Sequence, residues 1–268
     1  MSLIEAIVLG AVQGLTEFIP ISSSGHLVIT PALFGWDHPD LSFDVLLHTA
    51  SLLALLVYFS GDLLDLTRGF FGGDRDARRM VWLLAIGTVP AVIVGVLFGD
   101  YFENAFKDAE AAALQLLITA AILVAAEQAL RWHERRNAER GSPLRRMNEM
   151  NTADATAVGV AQAIAIIPGI SRSGSTIGAG LGLGIGRDDS ARFSFLLAIP
   201  ALFGASLLEV PELLEGGVGL AAGAGGFLAS LVTSYAAIAG LIRYLRSRTL
   251  YPFAVYCVVA GIVFYFLV

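Results

Sequence analysis

The sequence predicts an all-α polytopic membrane protein built as an inverted-topology repeat, in which each unit is a re-entrant helical hairpin followed by three transmembrane helices. The first observation is composition: 56% of the 268 residues are hydrophobic and only 15% are charged, whereas soluble domains are about 25% charged. The second is a set of apolar stretches near the ~20 residues that a helix needs to cross a bilayer. The third is a polar segment that occurs twice.

The repeated segment covers residues 5–27 and 154–176, which align without a gap at a shift of 149 positions. Each copy is an apolar stretch broken by proline and then by a Ser/Gly-rich turn. Only the first copy carries Glu17 and His26, and only the second carries Arg172. The duplication therefore predicts one composite site built from two halves. The identical pairs are Ala6/Ala155, Gly10/Gly159, Gln13/Gln162, Ile21/Ile170, Ser22/Ser171, Ser24/Ser173 and Gly25/Gly174.

The apolar segments of the whole chain fall into two length classes. Six are long enough to span a membrane: 43–60, 80–99, 110–130, 190–210, 218–242 and 250–268. Four are too short or too broken, as re-entrant segments are: 4–18, 25–35, 153–167 and 174–186. Three spans per unit invert the second unit relative to the first, and such repeats place the functional site near the midplane, between broken helices.

The placement of basic residues predicts the orientation. With the 61–79 loop in the cytoplasm, 15 of the 17 basic residues are cytoplasmic, and the exceptions are Lys107 and Arg172, as the positive-inside rule requires. Both termini and the opening of the site then face the outer side of the cell membrane. We expect a single membrane domain over residues 1–268, with repeat one at about 1–130, a cytoplasmic linker at about 131–152 and repeat two at about 153–268.

Arg172 lies in an apolar hairpin, where an arginine costs at least ~2.5 kcal/mol. One interpretation is an arginine that snorkels to the cytoplasmic surface. The other is a guanidinium that binds an anion bidentately. Hydroxyls of Ser171, Ser173, Ser175 and Thr176 flank it, and the glycines allow a close approach to the backbone. A helix N-terminus at this point also favours an anion, so the segment predicts a phosphate cradle.

Four glycines of this second hairpin recur every four residues, at Gly174, Gly178, Gly182 and Gly186. This spacing is typical of a face on which membrane helices pack closely. We therefore expect all four glycines to form a helix-packing face, with Gly174 also near the site.

Glu17 lies in the first apolar hairpin, where a carboxylate has to be paired, protonated or metal-bound. Gln13 stands one turn earlier on the same helix face. Together they offer the oxygen ligands that Mg²⁺ and Ca²⁺ prefer. The alternative is a structural Glu17–Arg172 pair across the two repeats, which is compatible with metal binding. His48, in the first full span, is a candidate to line the same cavity.

His26 follows the serine-rich turn, and a histidine there can carry protons or attack phosphorus directly. His38, at an expected outer edge, has no predicted role. Each turn serine is a candidate nucleophile, phosphate ligand or turn former, and spacing does not rank these roles. The serines are Ser22, Ser23 and Ser24.

These motifs resemble a known family, the undecaprenyl-pyrophosphate phosphatases of the bacitracin-resistance type. The resemblance rests on Gln13-x-x-x-Glu17 as an (E/Q)xxxE pattern, on SSSGH at 22–26 and on PGISRSGST at 168–176, and it covers essentially the whole chain. It implies hydrolysis of undecaprenyl pyrophosphate to undecaprenyl phosphate and inorganic phosphate, which recycles the lipid carrier of cell-wall synthesis. It also implies a divalent cation, Mg²⁺ or Ca²⁺, and an inverted-repeat fold with two re-entrant regions.

The family's functional positions carry over to this sequence residue by residue. The implied catalytic residues are Glu17, His26, Ser23 and Arg172, and the implied metal ligands are Glu17 and Gln13. The implied substrate-binding residues are Gln13, Ser22, Ser24, Gly25, Ser171, Ser173, Gly174 and Thr176. Gln13 stands where many members have a glutamate, so one negative charge is missing. The expected partners are the polyprenyl lipid, the membrane and a second copy of the chain, with no nucleic acid.

Two rival functions accompany this interpretation, and the nucleophile is left open. A secondary transporter or flippase for a phosphate-bearing lipid has the same architecture, but it has no evident need for serine, histidine and carboxylate beside an arginine. A phosphatidic-acid-type phosphatase also has SGH and SR motifs, but it requires a second histidine after the SR, and no histidine follows His133. For the hydrolase itself, Ser23, His26 and a water molecule all remain candidate nucleophiles.

Overall fold

The computed structural model describes residues 1–37, 39–105, 108–208 and 218–267. The predictions for His38 and Lys107, and the expected outer loop at 211–217, lie outside these residues. Within the described ranges the chain forms eleven α-helices, one short 3₁₀ helix and no strand. The predicted all-α class is therefore confirmed.

The helices follow one another with few connecting residues. In chain order they are α1 (Leu3–Phe18), α2 (Ser23–Phe34), α3 (Leu41–Tyr58), α4 (Ser60–Gly72), α5 (Arg75–Ala105), α6 (Ala109–Arg140), α7 (Thr152–Ile164), α8 (Arg172–Gly182), α9 (Arg187–Leu208), α10 (Leu220–Leu245) and α11 (Tyr251–Leu267). The 3₁₀ helix is Met147–Glu149, in the linker between α6 and α7.

Five helices are long and apolar enough to cross a membrane: α3, α5 as far as Phe98, α6, α9 and α10. Six spans were predicted, and the sixth corresponds to α11, an apolar helix of 17 residues that is shorter than the others. Its predicted last residue, Val268, lies outside the described residues. The four predicted short segments are the short helices α1, α2, α7 and α8, displaced by a few residues at their ends.

Helices continue through parts of the two segments expected to lie between spans, 61–79 and 131–152. Helix α4 occupies much of the 61–79 segment, which contains no proline, and it ends where Gly73 takes a left-handed conformation at φ 90°. Helix α6 runs to Arg140, ten residues beyond the predicted span, until Gly141 ends it in the same way at φ 66°. Polar residues in these segments signalled solvent exposure, which an exposed helix also satisfies.

Proline and serine separate the two arms of the first hairpin. Pro20 disfavours a helical conformation at the preceding residue, and Ile19 is extended at φ −64° and ψ 133°. Ser22 then caps α2 by accepting the N–H of Gly25. In the second hairpin, Ser171 caps α8 in the same way, and α7 ends four residues before the proline of its turn.

The first arm of each hairpin crosses a long helix at a pair of glycines. Gly10 of α1 lies against Gly226 of α10, and a Cβ added there would sit 2.2 Å from the Gly226 carbonyl oxygen. Gly159 of α7 lies against Gly87 of α5, with the corresponding distance 2.3 Å. Gly10 and Gly159 are equivalent positions of the duplicated segment. The same backbone-to-backbone crossing, which only glycine permits, therefore occurs twice.

The predicted glycine face of the second hairpin is only half correct. A Cβ on Gly174 or Gly178 would contact Leu123 or Ala126 of α6, at 3.4 and 3.3 Å. Gly182 faces open space. Gly186 lies beyond the end of α8, where its N–H donates to a linker carbonyl. Gly182 is the last residue of α8 and has no neighbour within 4 Å, and Gly186 is outside the helix, so neither belongs to a helix-packing face.

Helix α6 lies between the two hairpins and packs against α2, α8 and α11. Leu116, Leu123 and Leu130 are fully buried on it. Their spacing of seven residues places them on one face of the helix. This face supports the second arm of both hairpins, so the two turns are held against a common element.

A buried ion pair joins α6 to α9. The carboxylate of Glu127, which is fully buried, accepts two bonds from Arg187 at 3.0 and 2.6 Å. It also accepts the N–H of Leu250, at the start of α11, at 2.7 Å. The Arg187 guanidinium reaches Glu134 at 3.1 Å as well. The Glu127 carboxylate on α6 therefore holds α9 and the start of α11 in place.

Replacing either crossing glycine by alanine is expected to destabilise the protein. Gly10→Ala and Gly159→Ala each place a methyl group on a backbone carbonyl, and overpacking of this kind costs ~1–3 kcal/mol. Gly240→Ala, on α10, is the matched control, because a Cβ there meets open space. Thermal unfolding in detergent should show a lower Tm for the first two variants only. An unchanged Tm for both would contradict the close crossings.

Removing the buried carboxylate of Glu127 is expected to destabilise the protein by ~3 kcal/mol, because Arg187 is left without its partner. The control is Arg246→Ala, which breaks a 3.9 Å pair with Asp188 whose side chains are exposed, and such pairs contribute little. Chemical unfolding of Glu127→Ala and of the control, followed by circular dichroism, measures the difference. Equal stabilities of the two variants would rule out a structural role for the buried pair.

Candidate functional site

The site forms where the turns of the two hairpins touch. The Oγ of Ser24 accepts the N–H of Gly169 at 3.2 Å, and the Oγ of Ser173 donates to the carbonyl of Ile19 at 3.4 Å. Thr119 of α6 anchors the second turn, since its hydroxyl donates to the Gly169 carbonyl and accepts the N–H of Ser171, both at 3.0 Å. The turns are thus joined to each other and fixed to α6.

Glu17, in the last turn of α1, is the centre of this contact, and its side chain is 4% exposed. Its Oε1 accepts from Nη2 of Arg172 at 2.7 Å. Its Oε2 accepts from Oγ of Ser23 at 2.5 Å and from Nε2 of Gln13 at 3.1 Å. Nε2 of His48, on α3, lies 3.8 Å from the same oxygen. The predicted pairing of Glu17 with Arg172 across the hairpins is therefore present, and four helices converge on one carboxylate.

Two helix N-termini meet at this carboxylate. Helix α2 begins at Ser23 and α8 begins at Arg172, and the first N–H groups of a helix have no acceptor within it. In each helix the N–H of the third residue, Gly25 or Gly174, is taken by the capping serine at 3.4 or 3.0 Å. The N–H groups of the first two residues of each helix, together with both helix dipoles, remain for an anion.

Ser22 has an unusual backbone, with φ 70° and ψ 99°, the single positive φ of a non-glycine residue within the described ranges. Such a conformation costs ~1–3 kcal/mol and persists only where its surroundings enforce it. Nδ1 of His26 donates to the Ser22 carbonyl at 2.7 Å. On the other side of the ring, Nε2 lies 2.7 Å from the hydroxyl of Tyr256. The hydrogen bonds of His26 thus run to Ser22 and Tyr256.

Two further predicted substrate ligands, Thr176 and Gly25, contact other residues of the protein around the turns. The Thr176 hydroxyl is 2.8 Å from the Arg172 carbonyl and 2.6 Å from the hydroxyl of Ser194 on α9. Gly25 lies close to the opposite turn, where a Cβ would come within 3.3 Å of Gly169. Their binding roles stay predictions, and the structure assigns both residues to the support of the turns.

Sequence reasoning did not identify Tyr256, Thr119 or Ser194 as part of this region. Thr119 and Ser194 are buried polar residues in helices predicted to span the membrane. A polar side chain within an apolar span was the sequence signal that could have identified them. Tyr256 lies in a uniformly apolar run, so nothing in its neighbourhood marked it. His48 was only a candidate lining residue, and it is the histidine next to Glu17.

The predicted divalent cation fits the residues present. The Oε1 of Gln13 is buried and accepts no hydrogen bond, so an oxygen donor beside the Glu17 carboxylate is left unsatisfied. Carboxylate and amide oxygens are ligands that Mg²⁺ and Ca²⁺ prefer. The described residues contain no cluster of three or more His, Cys, Asp or Glu that would hold a metal alone. A cation here would therefore take further ligands from substrate oxygens or water.

The combination of groups suits a phosphate ester or anhydride. A guanidinium and two helix N-termini supply positive charge. A serine hydroxyl bonded to a carboxylate is the arrangement by which a weak nucleophile is activated. An anion bound between the two turns would contact a nucleophile, a proton acceptor and a charge-neutralising group together.

Comparison with known proteins identifies the family. The family model "Bacitracin resistance protein BacA" matches residues 6–263. Three relatives named undecaprenyl-diphosphatase match over 98% of this chain: those of Chlorobium phaeobacteroides (41% identical, 95% of the relative covered), Chloroherpeton thalassium (39%, 95%) and Methanosphaera stadtmanae (37%, 97%). The predicted resemblance is thereby confirmed, and the chain belongs to the bacitracin resistance protein BacA family.

Proposed function

We propose that this protein hydrolyses undecaprenyl diphosphate to undecaprenyl phosphate and inorganic phosphate, and so recycles the lipid carrier of cell-wall synthesis. Full-length relatives that carry the name undecaprenyl-diphosphatase support this activity. The observation that carries it is the Ser23 hydroxyl, which lies 2.5 Å from Glu17. The same carboxylate accepts a hydrogen bond from Arg172 of the other hairpin.

Arg172 and the two helix N-termini bind the terminal phosphate. One guanidinium nitrogen, Nη2, is bonded to Glu17, and the other N–H donors of the side chain's five serve phosphate oxygens. The terminal phosphate also receives the free backbone N–H groups at the two helix N-termini, those of Ser23, Ser24, Arg172 and Ser173. These donors also stabilise the negative charge that develops in the transition state.

Ser23 then attacks the terminal phosphorus while Glu17 takes the hydroxyl proton on Oε2. A bond forms between Ser23 Oγ and phosphorus, and the bond from phosphorus to the bridging oxygen breaks, which releases undecaprenyl phosphate. Glu17 passes this proton to the departing undecaprenyl phosphate, which restores the carboxylate. In the second step Glu17 takes a proton from water, the water oxygen bonds to phosphorus and the bond from phosphorus to Ser23 Oγ breaks. Glu17 then returns the proton to Ser23 Oγ, and inorganic phosphate is released. Direct attack by water at the same position is the alternative, and it differs by having no covalent intermediate.

Glu17 and Gln13 would hold the divalent cation, Mg²⁺ or Ca²⁺. When bound, such a cation neutralises diphosphate charge and polarises the phosphoryl oxygens. Gln13 is uncharged where many family members are expected to have a glutamate, so we expect the substrate's own oxygens to contribute more of the ligands.

The architecture we propose is an inverted-topology repeat with two re-entrant hairpins in a single membrane domain. The duplicated glycine crossings and the paired capping serines support it. In this arrangement both termini and the opening of the site face the outer side of the cell membrane, and the α6–α7 linker faces the cytoplasm. Self-association into a homodimer is part of the same proposal.

Loss of the nucleophile or of its partner is expected to abolish hydrolysis. Ser23→Ala and Glu17→Gln each remove one member of a hydrogen-bonded unit, so kcat should fall by at least ~10³-fold. Arg172→Lys keeps the charge but loses the planar guanidinium, and we expect a loss of ~10²-fold. The measurement is phosphate release from undecaprenyl diphosphate by the purified protein in detergent.

The control for these variants is Ser60→Ala, which changes an exposed serine at the start of α4. It should keep wild-type activity. Hydrolysis by Ser23→Ala at the wild-type rate would exclude the serine mechanism and favour direct attack by water. A folded wild-type protein that binds the lipid without releasing phosphate would favour the transporter or flippase instead.

The proposed orientation predicts which side of the membrane two exposed positions occupy. In a Cys257→Ala background, Ser2→Cys at the start of α1 should react in intact cells with a membrane-impermeant maleimide. Ser142→Cys in the linker should react only after the membrane is opened. The reverse pattern would place the termini in the cytoplasm and overturn the assigned orientation.

A further inference from the structure

We propose that Tyr256 is a positioning residue of this site, which acts through His26 on the backbone turn at Ser22 that presents Ser23 to Glu17. The inference rests on the proposed function and deepens it. It assigns a role to α11, a helix that contributes nothing to the cluster around Glu17, and it changes the role of the histidine from reacting group to support.

Helix α11 immobilises the ring of His26. The hydroxyl of Tyr256 lies 2.7 Å from His26 Nε2, and the two rings are nearly parallel, at 15° with centroids 5.7 Å apart. Phe264, two turns further along α11, meets the same imidazole edge-on at 87° and 6.1 Å. The histidine is 6% exposed. A buried ring that contacts two aromatic side chains of one helix has little freedom to reorient.

The hydrogen bonds define which nitrogen of His26 carries the proton. The Ser22 carbonyl can only accept, so Nδ1, at 2.7 Å from it, is the protonated nitrogen. In the neutral ring Nε2 then has a lone pair, and the Tyr256 hydroxyl donates to it. The Ser22 carbonyl therefore selects this tautomer, and the Tyr256 hydroxyl, which can donate or accept, supports it by donating to the Nε2 lone pair.

The turn that receives this bond differs from its counterpart in the second hairpin. Ser22 has φ 70°, whereas the equivalent Ser171 has φ −67°, which is ordinary for its residue type. The position equivalent to His26 is Ser175, and its hydroxyl has no hydrogen-bond partner. The strained turn and the histidine thus occur together, in the hairpin that carries Ser23.

This arrangement leaves the chemistry to Ser23 and Glu17. Because Nε2 of His26 accepts from Tyr256, it is engaged away from the Ser23 hydroxyl, which donates to Glu17 at 2.5 Å. The histidine contributes by holding the Ser22 carbonyl, and through it the position of the next residue, Ser23. Small displacements of a nucleophile cost ~10²-fold in rate, so a support of this kind has a measurable effect.

The first test compares two tyrosines of α11. Tyr256→Phe keeps the stacked ring and removes the hydroxyl, so kcat for undecaprenyl diphosphate should fall by ~10-fold, the effect of one hydrogen bond, with KM unchanged. Tyr265→Phe, on the same helix, is the control and should match the wild type. Full kcat in Tyr256→Phe would overturn the proposal.

The second test separates the two nitrogens of His26. Asparagine places an N–H donor near the position of Nδ1 and has no group at Nε2, whereas glutamine reaches the position of Nε2. His26→Asn should keep kcat within ~10-fold of the wild type, and His26→Gln and His26→Ala should lose at least ~10²-fold. If His26→Asn is as inactive as His26→Ala, Nε2 takes part in the chemistry and the proposal is wrong.

A readout independent of activity distinguishes failure of this inference from failure of the proposed function. The chain has four histidines, so ¹⁵N-histidine labelling and solid-state NMR in bilayers give a simple spectrum, assigned by loss of one signal in His26→Asn. We expect His26 in the Nδ1–H form, with its Nε2 resonance shifted by Tyr256→Phe. An Nε2–H form in the wild type would overturn the inference whether or not the protein hydrolyses the lipid.

Discussion

The arrangement of the site depends on one interaction, the bond between Glu17 and Arg172. A carboxylate and a guanidinium each lie in a short apolar hairpin, where an unpaired charge costs several kcal/mol. Neither hairpin contains a partner for its own charge, so each satisfies the other across the interface at 2.7 Å. The charge requirement therefore brings together the two halves of the duplicated segment, and with them the serine that is bonded to the same carboxylate.

The contacts around this pair are reciprocal. Ser24 and Ser173 are equivalent residues of the duplication, and each bonds the peptide unit beside the proline of the opposite turn. Pro20 has no N–H, so its peptide unit offers the Ile19 carbonyl to Ser173, whereas the other turn offers the N–H of Gly169 to Ser24. The two serines thus make equivalent contacts with opposite donor roles. Their hydroxyls are consumed in joining the turns, which leaves Ser23, the serine without a counterpart, for chemistry.

Much of the fold was predictable because it follows from local signals. Proline marked the breaks in both hairpins, and the duplication indicated which residues would meet. The missed elements were those for which the sequence carries no local signal. Helix α4 is short and has no buried residue, Gly182 follows the glycine spacing without a neighbour to contact, and Ser22 adopts a backbone conformation that its residue type does not favour. The bond between His26 and Tyr256 joins positions 230 residues apart, so no motif reveals it.

The central claim is that Ser23, activated by Glu17, forms a bond to the terminal phosphorus of the lipid diphosphate. Rapid acid quenching of turnover with substrate labelled in the terminal phosphate, followed by peptide mapping, tests it most directly. The account predicts a transient, acid-stable label on Ser23 that is absent from Ser23→Ala and strongly reduced in Glu17→Gln. Label on His26 in a parallel alkaline quench, which preserves the acid-labile phosphohistidine, or turnover without any protein-bound phosphate at the earliest quench times in either medium, would contradict it.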